Sequence, residues 1–595
     1  MTTSAWLARH RLITLYLLAL IPALLLALLQ PLLARHDEAA HVDYAAQLAH
    51  GVYPRVGTTT IRPETFELMK QTGVFGWNSD FAPLPDYERA AFEPAPADLT
   101  GRARGLWVRR NIWQYSYESF EPPLYYVIAA TLWKPVDAVA GPLAAVYVLR
   151  VFNALLLALL APLTFATALR LWPAATPLHW LAGAAAGLVP GLTLNATHVT
   201  NDTLVAVLCG LCLLVGMTGM QEGWTLRRAS LLGVLFGAAL EVKVNAAGLV
   251  PALGFALLYQ PLRQRPYKPL AFLPAVVATT FGLACVLPWL GSNLIRYHTL
   301  TPLAAREVFN GALDPWHLSV AYVVVNLVSA YMTFIVGEPY QLTLSAGWPL
   351  MQLMAFVAPV PLAGLYWAIR RRRPGLSYTA LMFLLLALGG AVALAVALPL
   401  ISGDDYLTPG RYTWPAVVAG LVLFTVLIDL ALPWRTVKRG IAGLLVISGC
   451  ATMLAYIGGL WLPGPPGPRR PPPGAREVLL AERGSFAGLE IAADRLDLTS
   501  DAAWMHVELT NTAEGPIDWE PAARVRSVGD ATTVLATGDY RRSTQLPRTI
   551  QPDETVSGWI CFPVTLRGPL VVRFDDIAAA GYHQIGGLSL PLDIG

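Results

Sequence analysis

Apolar runs long enough to cross a membrane occupy most of this sequence. The first, from Leu12 to Leu33, matches the roughly 20 residues that a helix needs to span the hydrocarbon core of a bilayer. Of the 595 residues, 55% are hydrophobic and 14% are charged, which is typical of a membrane protein with many spans. The sequence therefore predicts a mainly α-helical polytopic membrane protein with roughly 11 to 13 transmembrane helices. Further apolar runs lie at 124–140, 146–171, 178–198, 203–220, 229–259, 270–290, 319–336, 347–369, 377–400, 414–432 and 440–462.

Clusters of basic residues between the runs give the expected orientation, because cytoplasmic loops carry an excess of Lys and Arg. Arg9 and Arg11 precede the first run, so we expect a multi-pass plasma (inner) membrane protein with a cytoplasmic N-terminus. The first run is longer than a signal-peptide core, which favours an uncleaved helix. The other clusters expected in the cytoplasm are Arg227–Arg228, Arg263–Lys268, Arg370–Arg373 and Arg435–Arg439.

Three places break a simple alternation of crossings. Basic clusters flank 229–259 on both sides, so we predict a hairpin of two short helices that turns near Lys243 and Asn245. One of the runs 319–336 and 347–369 is expected to be re-entrant or to lie on the membrane surface. Among the three runs that follow the first loop, one is expected to cross only in part.

Changes in composition divide the chain into domains. We predict a transmembrane domain over 1–462, in which the first extracytoplasmic loop, 34–121, carries short surface helices. The Pro-rich stretch 463–475 predicts a stiff linker. Beyond it, 476–595 has short alternating segments such as 504–509, which predict an Ig-like all-β sandwich outside the membrane. The expected interfacial anchors of the first loop are Trp107, Trp113, Tyr115 and Tyr117.

Two acidic residues follow the point where the first helix leaves the membrane. Asp37 and Glu38 are adjacent, and His41 lies about one helical turn further on. Ionisable side chains at a membrane boundary are candidates for function, and a carboxylate can act as a general base. The alternative is a solvated loop that is merely acidic.

Two more polar motifs begin helices on the expected outer side. In Glu121-Pro122-Pro123-Leu124-Tyr125-Tyr126 the prolines suit the first turn of a helix, and Glu121, Tyr125 and Tyr126 are expected to face the same outer cavity. An ordinary proline-started helix with interfacial aromatic residues is the alternative. Asn201 and Asp202 open another run, where helix capping by itself would explain the carboxylate.

Two cations complete the set of candidate residues. Lys243 lies in a strongly apolar segment, and a buried lysine is costly unless it is paired. Glu241 is two residues away, on a different helical face, so a phosphate or another carboxylate is the sharper interpretation; snorkelling to water is the alternative. Arg411, followed by Tyr412, begins a further run, and arginine binds phosphate oxygens bidentately. An interfacial anchor, or pairing with 404–405, is the alternative for Arg411.

Several classes of function are not indicated. The basic residues occur in short clusters between apolar runs, which does not suggest nucleic-acid binding. Cys209 and Cys212 form a CxxC inside an apolar run without further ligands at metal spacing, so we interpret them as helix-packing residues. The sequence does not identify a cofactor, and the use of a divalent metal stays open.

Taken in order, these motifs resemble the GT-C superfamily of polytopic glycosyltransferases, of the protein O-mannosyltransferase and aminoarabinose-transferase type. The resemblance covers roughly 12–462. This family often has His-Pro-Pro-Leu-Tyr-Tyr, so Glu121 in place of the histidine departs from its pattern. The matching residues are Asp37-Glu38, Glu121–Tyr126, Asn201-Asp202, Lys243 and Gly410–Tyr412.

The resemblance implies an inverting transfer of a sugar from a polyprenyl phosphate in the membrane to a protein, lipid or glycan acceptor on the outer face. It implies Asp37 as the base, with Glu38 supporting it or binding a metal, although related enzymes differ in metal use. It also implies binding of the donor phosphate by Lys243, Arg411 and Tyr412. The residues expected to line the cavity are His41, Glu121, Tyr125, Tyr126, Asn201 and Asp202.

Two other functions are compatible with the sequence. A transporter or flippase of a lipid-linked or amphipathic solute would favour inverted repeats and polar residues near the midplane; no clear repeat is present, and Glu241 and Lys243 are the candidate midplane residues. A membrane-anchored binding protein would place the function in the β domain, for which a dozen helices is a large anchor.

Overall fold

The computed structural model of this chain separates into two compact units, and each is described by itself. The first contains Met1–Thr65 and Ser116–Trp461, and the second contains Phe66–Tyr115 and Leu462–Gly595. The anchors predicted at 107–117 and most of the predicted linker lie outside the described side chains. The structure describes residues 10–30, 32–33, 37–56, 59–71, 99, 103, 116–173, 177–264, 266, 268–302, 320–336, 350, 352–355, 357–402, 410–432, 434–461, 470–519, 523–527, 530–537, 543–544, 546–547, 549–564, 569–581 and 583–593.

Long helices dominate the first unit, as the apolar runs predict. Short 3-10 helices at Tyr117–Phe120, Val244–Leu249, Pro269–Phe272 and Gly410–Ala416 join or begin several of them. The α-helices are α1 (Arg11–Leu29), α2 (Glu38–Ala49), α3 (Pro63–Gln71), α4 (Leu124–Leu171), α5 (Pro177–Leu188), α6 (Pro190–Ala196), α7 (Asp202–Glu222), α8 (Leu226–Val242), α9 (Val250–Arg263), α10 (Leu273–Tyr297), α11 (Val320–Val336), α12 (Pro359–Arg371), α13 (Tyr378–Ser402), α14 (Val417–Ala431) and α15 (Arg435–Trp461).

Most long helices of the first unit run between two common ends of that unit. At one end Glu222 accepts hydrogen bonds from Arg170 and Arg228, each at 2.6 Å, which ties the ends of α4 and α7 to the start of α8. At the other end Lys243, just after α8, lies 2.8 Å from Asp202 at the start of α7. We call the end that holds Asp202 and Lys243 the site end, and the end that holds Glu222 and Arg228 the basic end.

Helix α4 turns back on itself at the site end. Gly141 has φ +82° and ψ 172°, a backbone conformation that glycine adopts without the cost of a side chain. The Tyr125 hydroxyl donates to Asn153 Oδ1 at 3.2 Å, whereas a straight helix would separate residues 28 positions apart by roughly 42 Å. The arm before Gly141 therefore stays at the site end, and only the second arm runs to the basic end. That one of the runs after the first loop crosses the membrane only in part stays a prediction.

The predicted hairpin within 229–259 is also present. Helix α8 ends at Val242, and Lys243 has an extended backbone with φ −159° and ψ 130°. Pro251 lies in the first turn of α9, where its missing N–H costs no helical bond. Helix α9 then returns toward the basic end, where the indole of Trp224 donates to the carbonyl of Ala256 at 3.0 Å.

Among the described residues, eight helices are long and apolar enough to cross a membrane. The shorter segments formed by α5 with α6, by α8, and by 244–263 run between the same two ends, and the number of 11 to 13 transmembrane helices stays a prediction. Helix α11 instead packs at the site end, where the hydroxyl of Thr333 accepts from the backbone N–H of Gly410 at 2.6 Å. The expectation that one of the two neighbouring runs does not cross the membrane stays a prediction.

The second unit is a β-sandwich, as predicted. Strands β1-β2-β3-β8 form one antiparallel sheet, and β6-β5-β9-β4-β7, with β10 beside β9, form the other. Side chains from both sheets, such as Met505, Phe562 and Phe574, share one buried core, and the buried indole of Trp519 donates to the carbonyl of Pro547 at 2.7 Å. The strands are β1 (Arg476–Phe486), β2 (Leu489–Leu498), β3 (Ala503–Asn511), β4 (Ile517–Asp518), β5 (Ala523–Ser527), β6 (Asp530–Thr537), β7 (Thr549–Ile550), β8 (Thr555–Phe562), β9 (Pro569–Ala579) and β10 (Gln584–Asp593).

Candidate active site

A fully buried ion pair fixes the start of α2. Glu38 and Arg150 have no exposed side-chain surface, and the guanidinium donates from Nε and Nη2 to both carboxylate oxygens at 2.7 and 2.6 Å. The carboxylate also accepts from the backbone N–H groups of Leu33 and Val199, at 2.9 and 3.0 Å. Burial alone would raise the pKa of Glu38, but Arg150 and the other donors hold that pKa below its usual range. Glu38 is therefore an ionised structural link between three segments.

Asp37 makes a second and more accessible arginine pair. Its Oδ2 accepts from Arg411 Nη2 at 2.6 Å, and its side chain is 11% exposed. Asp37 has φ +67°, a left-handed conformation that Asp and Asn tolerate better than most residues. Because Glu38 is held by Arg150, this turn holds the Asp37 carboxylate apart from the buried pair and directs it to Arg411.

Gly410 explains how Arg411 reaches this position. A Cβ atom at Gly410 would overlap backbone atoms of Ala330 and Phe334 in α11. Only glycine allows the backbone that precedes Arg411 to lie directly on this helix.

Two further carboxylates surround Lys243. Its Nζ lies 2.8 Å from Asp202 Oδ1 and 3.6 Å from Glu121 Oε1. Asp202 Oδ2 in turn lies 4.0 Å from Arg411 Nη1. The result is a chain of alternating charges, Asp37–Arg411–Asp202–Lys243–Glu121, which we call the charge cluster.

Asparagine and tyrosine groups hold the cluster in place. Asn201 accepts from Lys243 Nζ at 3.4 Å and donates to the carbonyl of Val242 at 3.1 Å. The backbone carbonyl of Tyr412 accepts from Asn245 at 3.2 Å. The Tyr412 ring lies 5.7 Å from Lys243 Nζ and 6.0 Å from Arg411 Cζ, within the range of cation–π attraction.

An aromatic and polar group lies beside the charge cluster. His41 Nδ1 and the Tyr126 hydroxyl are 2.8 Å apart, and the rings of Tyr44 and Tyr126 stack at 3.9 Å. His41 Nε2 lies 4.0 Å from Glu118 Oε1. Burial lowers the pKa of His41 to about 3. Burial, together with the charges of Asp37 and Glu121, raises the pKa of Glu118 well above its usual range. Burial therefore favours the uncharged form of both side chains.

The residues singled out in the sequence thus come together at the site end, and the structure selects among the alternatives for several of them. Lys243 pairs with Asp202 and Glu121 rather than with Glu241. Arg411 is buried against Asp37 and is not an interfacial anchor, while 404–405 lie outside the described residues. The N-cap residue of α7 is Asn201, whose side chain makes no capping hydrogen bond, and Asp202 is the first residue of the helix.

Three residues of the site were missed in the sequence. Arg150 is a lone cation in an apolar run, and this signal could have marked it as functional or paired. Asn153, three residues later, donates to the carbonyls of His198 and Thr200 at 2.5 and 3.0 Å. Glu118 precedes the recognised Glu121 motif by one turn, and nothing in the sequence indicated that it would be buried.

A metal site and a thiol site were also considered. The part of the chain that the structure describes holds no group of three or more His, Cys, Asp or Glu side chains that could bind a metal. Cys209 and Cys212 are buried in α7, as expected for helix-packing residues.

Comparison with known proteins finds no matching family model and no matching curated protein. Among solved structures, the chain is similar to ArnT from Cupriavidus metallidurans bound to undecaprenyl phosphate, with 13% identity, 77% coverage of both chains and a TM-score of 0.44. It is also similar to the oligosaccharyltransferase of Archaeoglobus fulgidus, with 12% identity over 77% of this chain and a TM-score of 0.44; the match spans 56% of that enzyme's length. These proteins are of the kind that the sequence resemblance indicated.

Proposed function

We propose that this protein is an inverting glycosyltransferase that moves a sugar from a polyprenyl phosphate to an acceptor on the outer face of the membrane. The observation that carries the proposal is the charge cluster, in which Asp37, Arg411, Asp202 and Lys243 lie in sequence within 2.6 to 4.0 Å of one another. The cluster combines an accessible carboxylate with two cations, the set of groups that such a transfer needs.

Asp37 is proposed as the general base. It is the partly exposed member of the adjacent acidic pair, whereas Glu38 is sealed against Arg150. A carboxylate that accepts a charge-assisted hydrogen bond from arginine is a weaker base. We therefore infer that a donor phosphate competes for Arg411 and thereby frees Asp37, so that the base becomes active when the donor is bound.

Arg411 and Lys243 are proposed to bind the donor phosphate. Arg411 presents a guanidinium fork, and Lys243 adds a point charge on the other side of Asp202. Positive charge placed where negative charge develops stabilises the transition state. Glu38 and Arg150 support the base by fixing the start of α2.

The proposed step is a single in-line displacement. Asp37 accepts the proton of the acceptor hydroxyl or amine while the acceptor atom bonds to the anomeric carbon. The bond from that carbon to the phosphate oxygen breaks, and its electron pair leaves with the phosphate. The configuration at the carbon inverts, and the products are the glycosylated acceptor, the polyprenyl phosphate and one proton on Asp37.

The proposed orientation places the site end outside the cell. The basic end holds Arg228, Arg263 and Arg370, and such clusters favour the cytoplasm. The transporter alternative depends on polar groups near the midplane. Lys243 follows the last residue of α8, and Glu241 lies within the last turn, so both belong to the site end.

The test is mass spectrometry of lipids that co-purify with the full-length protein. Wild type and Asp37→Asn are expected to retain a polyprenyl-phosphate sugar, and Arg411→Ala is expected to lose it. The matched control is Asp429→Asn, which breaks the 2.6 Å pair with Lys438 at the basic end and should retain the lipid. If no such lipid is retained, and supplied polyprenyl-phosphate sugars neither bind nor react, the proposal is wrong and transport should be tested.

A further inference from the structure

Beside the charge cluster lies a group of buried polar side chains that the proposed transfer does not use. Among the described residues, His41 Nε2, Glu118 Oε2 and Ser119 Oγ have no hydrogen-bond partner. Their side chains are almost entirely buried, with residue exposures of 0%, 4% and 6%. A buried polar atom without a partner destabilises the fold, so a group of them indicates that a polar ligand completes it.

The chemistry of this group selects an uncharged ligand. His41 Nε2 lies 4.0 Å from Glu118 Oε1, which is too long for a direct hydrogen bond, and burial favours the uncharged form of both groups. Each of them can donate or accept a hydrogen bond. The measured oxygen, Oε1, belongs to the same carboxyl group as the unpartnered Oε2. Two atoms that each lie about 2.8 Å from one hydroxyl oxygen can be 4.0 Å apart, so this separation suits two groups that share one hydroxyl.

The position of the group indicates which part of the substrate it would contact. His41 lies one helical turn after Asp37, to whose carbonyl its backbone N–H donates at 2.9 Å. The backbone carbonyl of Glu118 accepts from the backbone N–H of Glu121 at 2.9 Å, and the Glu121 carboxylate lies 3.6 Å from Lys243 Nζ. The group therefore lies between the proposed base and the proposed phosphate site. In an in-line displacement the sugar ring lies between the base-activated acceptor and the leaving phosphate. Side chains that border both therefore face the sugar.

We propose that His41 and Glu118 form a neutral subsite that binds a hydroxyl group of the transferred sugar, which makes this protein selective for an uncharged sugar. This proposal rests on the proposed function and specifies its substrate class. Tyr126, stacked on Tyr44 and 2.8 Å from His41 Nδ1, positions the imidazole, while Glu118 supplies the second hydrogen-bonding group.

The experiment measures binding to the purified full-length protein in lipid nanodiscs. The probes are undecaprenyl phosphate without a sugar and its glucosyl, mannosyl, glucosaminyl and glucuronyl esters. The variants are Glu118→Gln, Glu118→Met and His41→Phe. The control is Glu64→Met, which removes a carboxylate that is 48% exposed in the same loop.

We expect a neutral sugar ester to bind most tightly to the wild type. Glu118→Met and His41→Phe should weaken that ester about 10- to 100-fold, as expected for the loss of a buried hydrogen bond. Glu118→Gln, which is neutral and of the same shape, should stay within about threefold of the wild type. Binding of undecaprenyl phosphate without a sugar should change less than twofold in every variant.

Several results would overturn the subsite. An equal loss of sugar-free lipid in Glu118→Met would mean that Glu118 only supports the fold. No change in any ester would mean that a structural water completes the group. A Gln variant as weak as the Met variant would mean that charge is required, and a preference for the glucosaminyl or glucuronyl ester would exclude selection of a neutral sugar. Failure of the wild type to bind even the sugar-free lipid would instead refute the proposed function, and this subsite with it.

Discussion

The adjacent carboxylates of Asp37 and Glu38 make two unlike arginine pairs. The Glu38–Arg150 pair is bidentate, has no exposed surface and receives further hydrogen bonds from the backbone. The Asp37–Arg411 pair has one short contact and partial exposure, and its arginine is shared with Asp202. The first pair can only hold the fold together, whereas the second can exchange partners.

This difference follows from the backbone. The left-handed residue Asp37 precedes the first residue of α2, Glu38, so the two side chains leave the chain in different directions. The Glu38 side chain reaches the interior at α4, and the Asp37 side chain reaches the segment before α14. A structural carboxylate next to a reactive one keeps the reactive group in a fixed position without using it as the anchor.

The largest effect on stability is expected at Glu38. Glu38→Gln leaves Arg150 buried without its counter-charge, and loss of one partner of a buried pair typically costs about 3 to 5 kcal/mol. We expect a large fall in the yield of folded protein and in the midpoint of thermal unfolding, measured in detergent. The double variant Glu38→Met with Arg150→Met should regain much of the loss. An unchanged midpoint for Glu38→Gln would contradict the structural role.

At Asp37 we expect the opposite result, a large loss of activity with little loss of stability. Asp37→Asn should lower the transfer rate roughly a thousandfold, because general-base catalysis contributes about 10² to 10⁴. Asparagine tolerates the left-handed conformation, so the unfolding midpoint should move far less than in Glu38→Gln. The rate is measured with a supplied polyprenyl-phosphate sugar. A variant that unfolds like Glu38→Gln but still transfers sugar would invert the roles of the two residues.

The helical unit could be predicted from the sequence because a lipid environment requires long apolar runs, which can be counted directly, and the turns between them carry basic clusters. The sequence also indicated the two cations of the charge cluster and most of the carboxylates, since ionisable residues within or at the ends of apolar runs are few. It did not indicate which groups would pair. Asp37 and Arg411 are 374 positions apart, and Glu38 and Arg150 are 112 apart, so only the packed helices decide their contacts.

The β unit and the turn in α4 show the same limit. Alternation predicted the strand at 504–509, but the pairing of β3 with β8, in which Ala503 faces Phe562, depends on contacts distant in sequence. A glycine at 141 could have marked a break in an apolar run. The return of Tyr125 to Asn153 could not have been predicted, because it depends on how the two arms pack.

Asp43, the second carboxylate of α2, provides a further test of this comparison through its pH dependence. It accepts from the backbone N–H of Arg62 at 2.7 Å, and burial raises its pKa from 3.8 to about 6. A folded-state pKa above the unfolded value favours the protonated form of the fold, so this stabilisation is complete below about pH 4 and is lost as the pH rises to 6. The shift corresponds to roughly 3 kcal/mol.

Asp43→Asn should therefore remove the part of the pH dependence of the unfolding midpoint that lies between pH 4 and 6. The midpoint is measured at several pH values in that interval for the wild type and the variant. Glu64→Gln, which alters an exposed carboxylate of the same loop, is the control and should keep the wild-type profile. If wild type and Asp43→Asn have parallel profiles, the Asp43 carboxylate titrates outside this interval.

The smallest expected effect is at Tyr412, whose ring lies near both cations of the charge cluster. The distances of 5.7 Å to Lys243 Nζ and 6.0 Å to Arg411 Cζ are at the outer limit of cation–π attraction, which contributes about 0.5 to 1 kcal/mol at exposed sites. Tyr412→Leu should therefore weaken binding of undecaprenyl phosphate only about two- to fivefold, and Tyr412→Phe, which keeps the ring, less than twofold. The bond from Asn245 to the backbone carbonyl of Tyr412 persists in both variants. A loss of 100-fold or more in the phenylalanine variant would mean that the hydroxyl binds the phosphate directly. The phosphate would then be bound by Tyr412 as well as by the charged side chains.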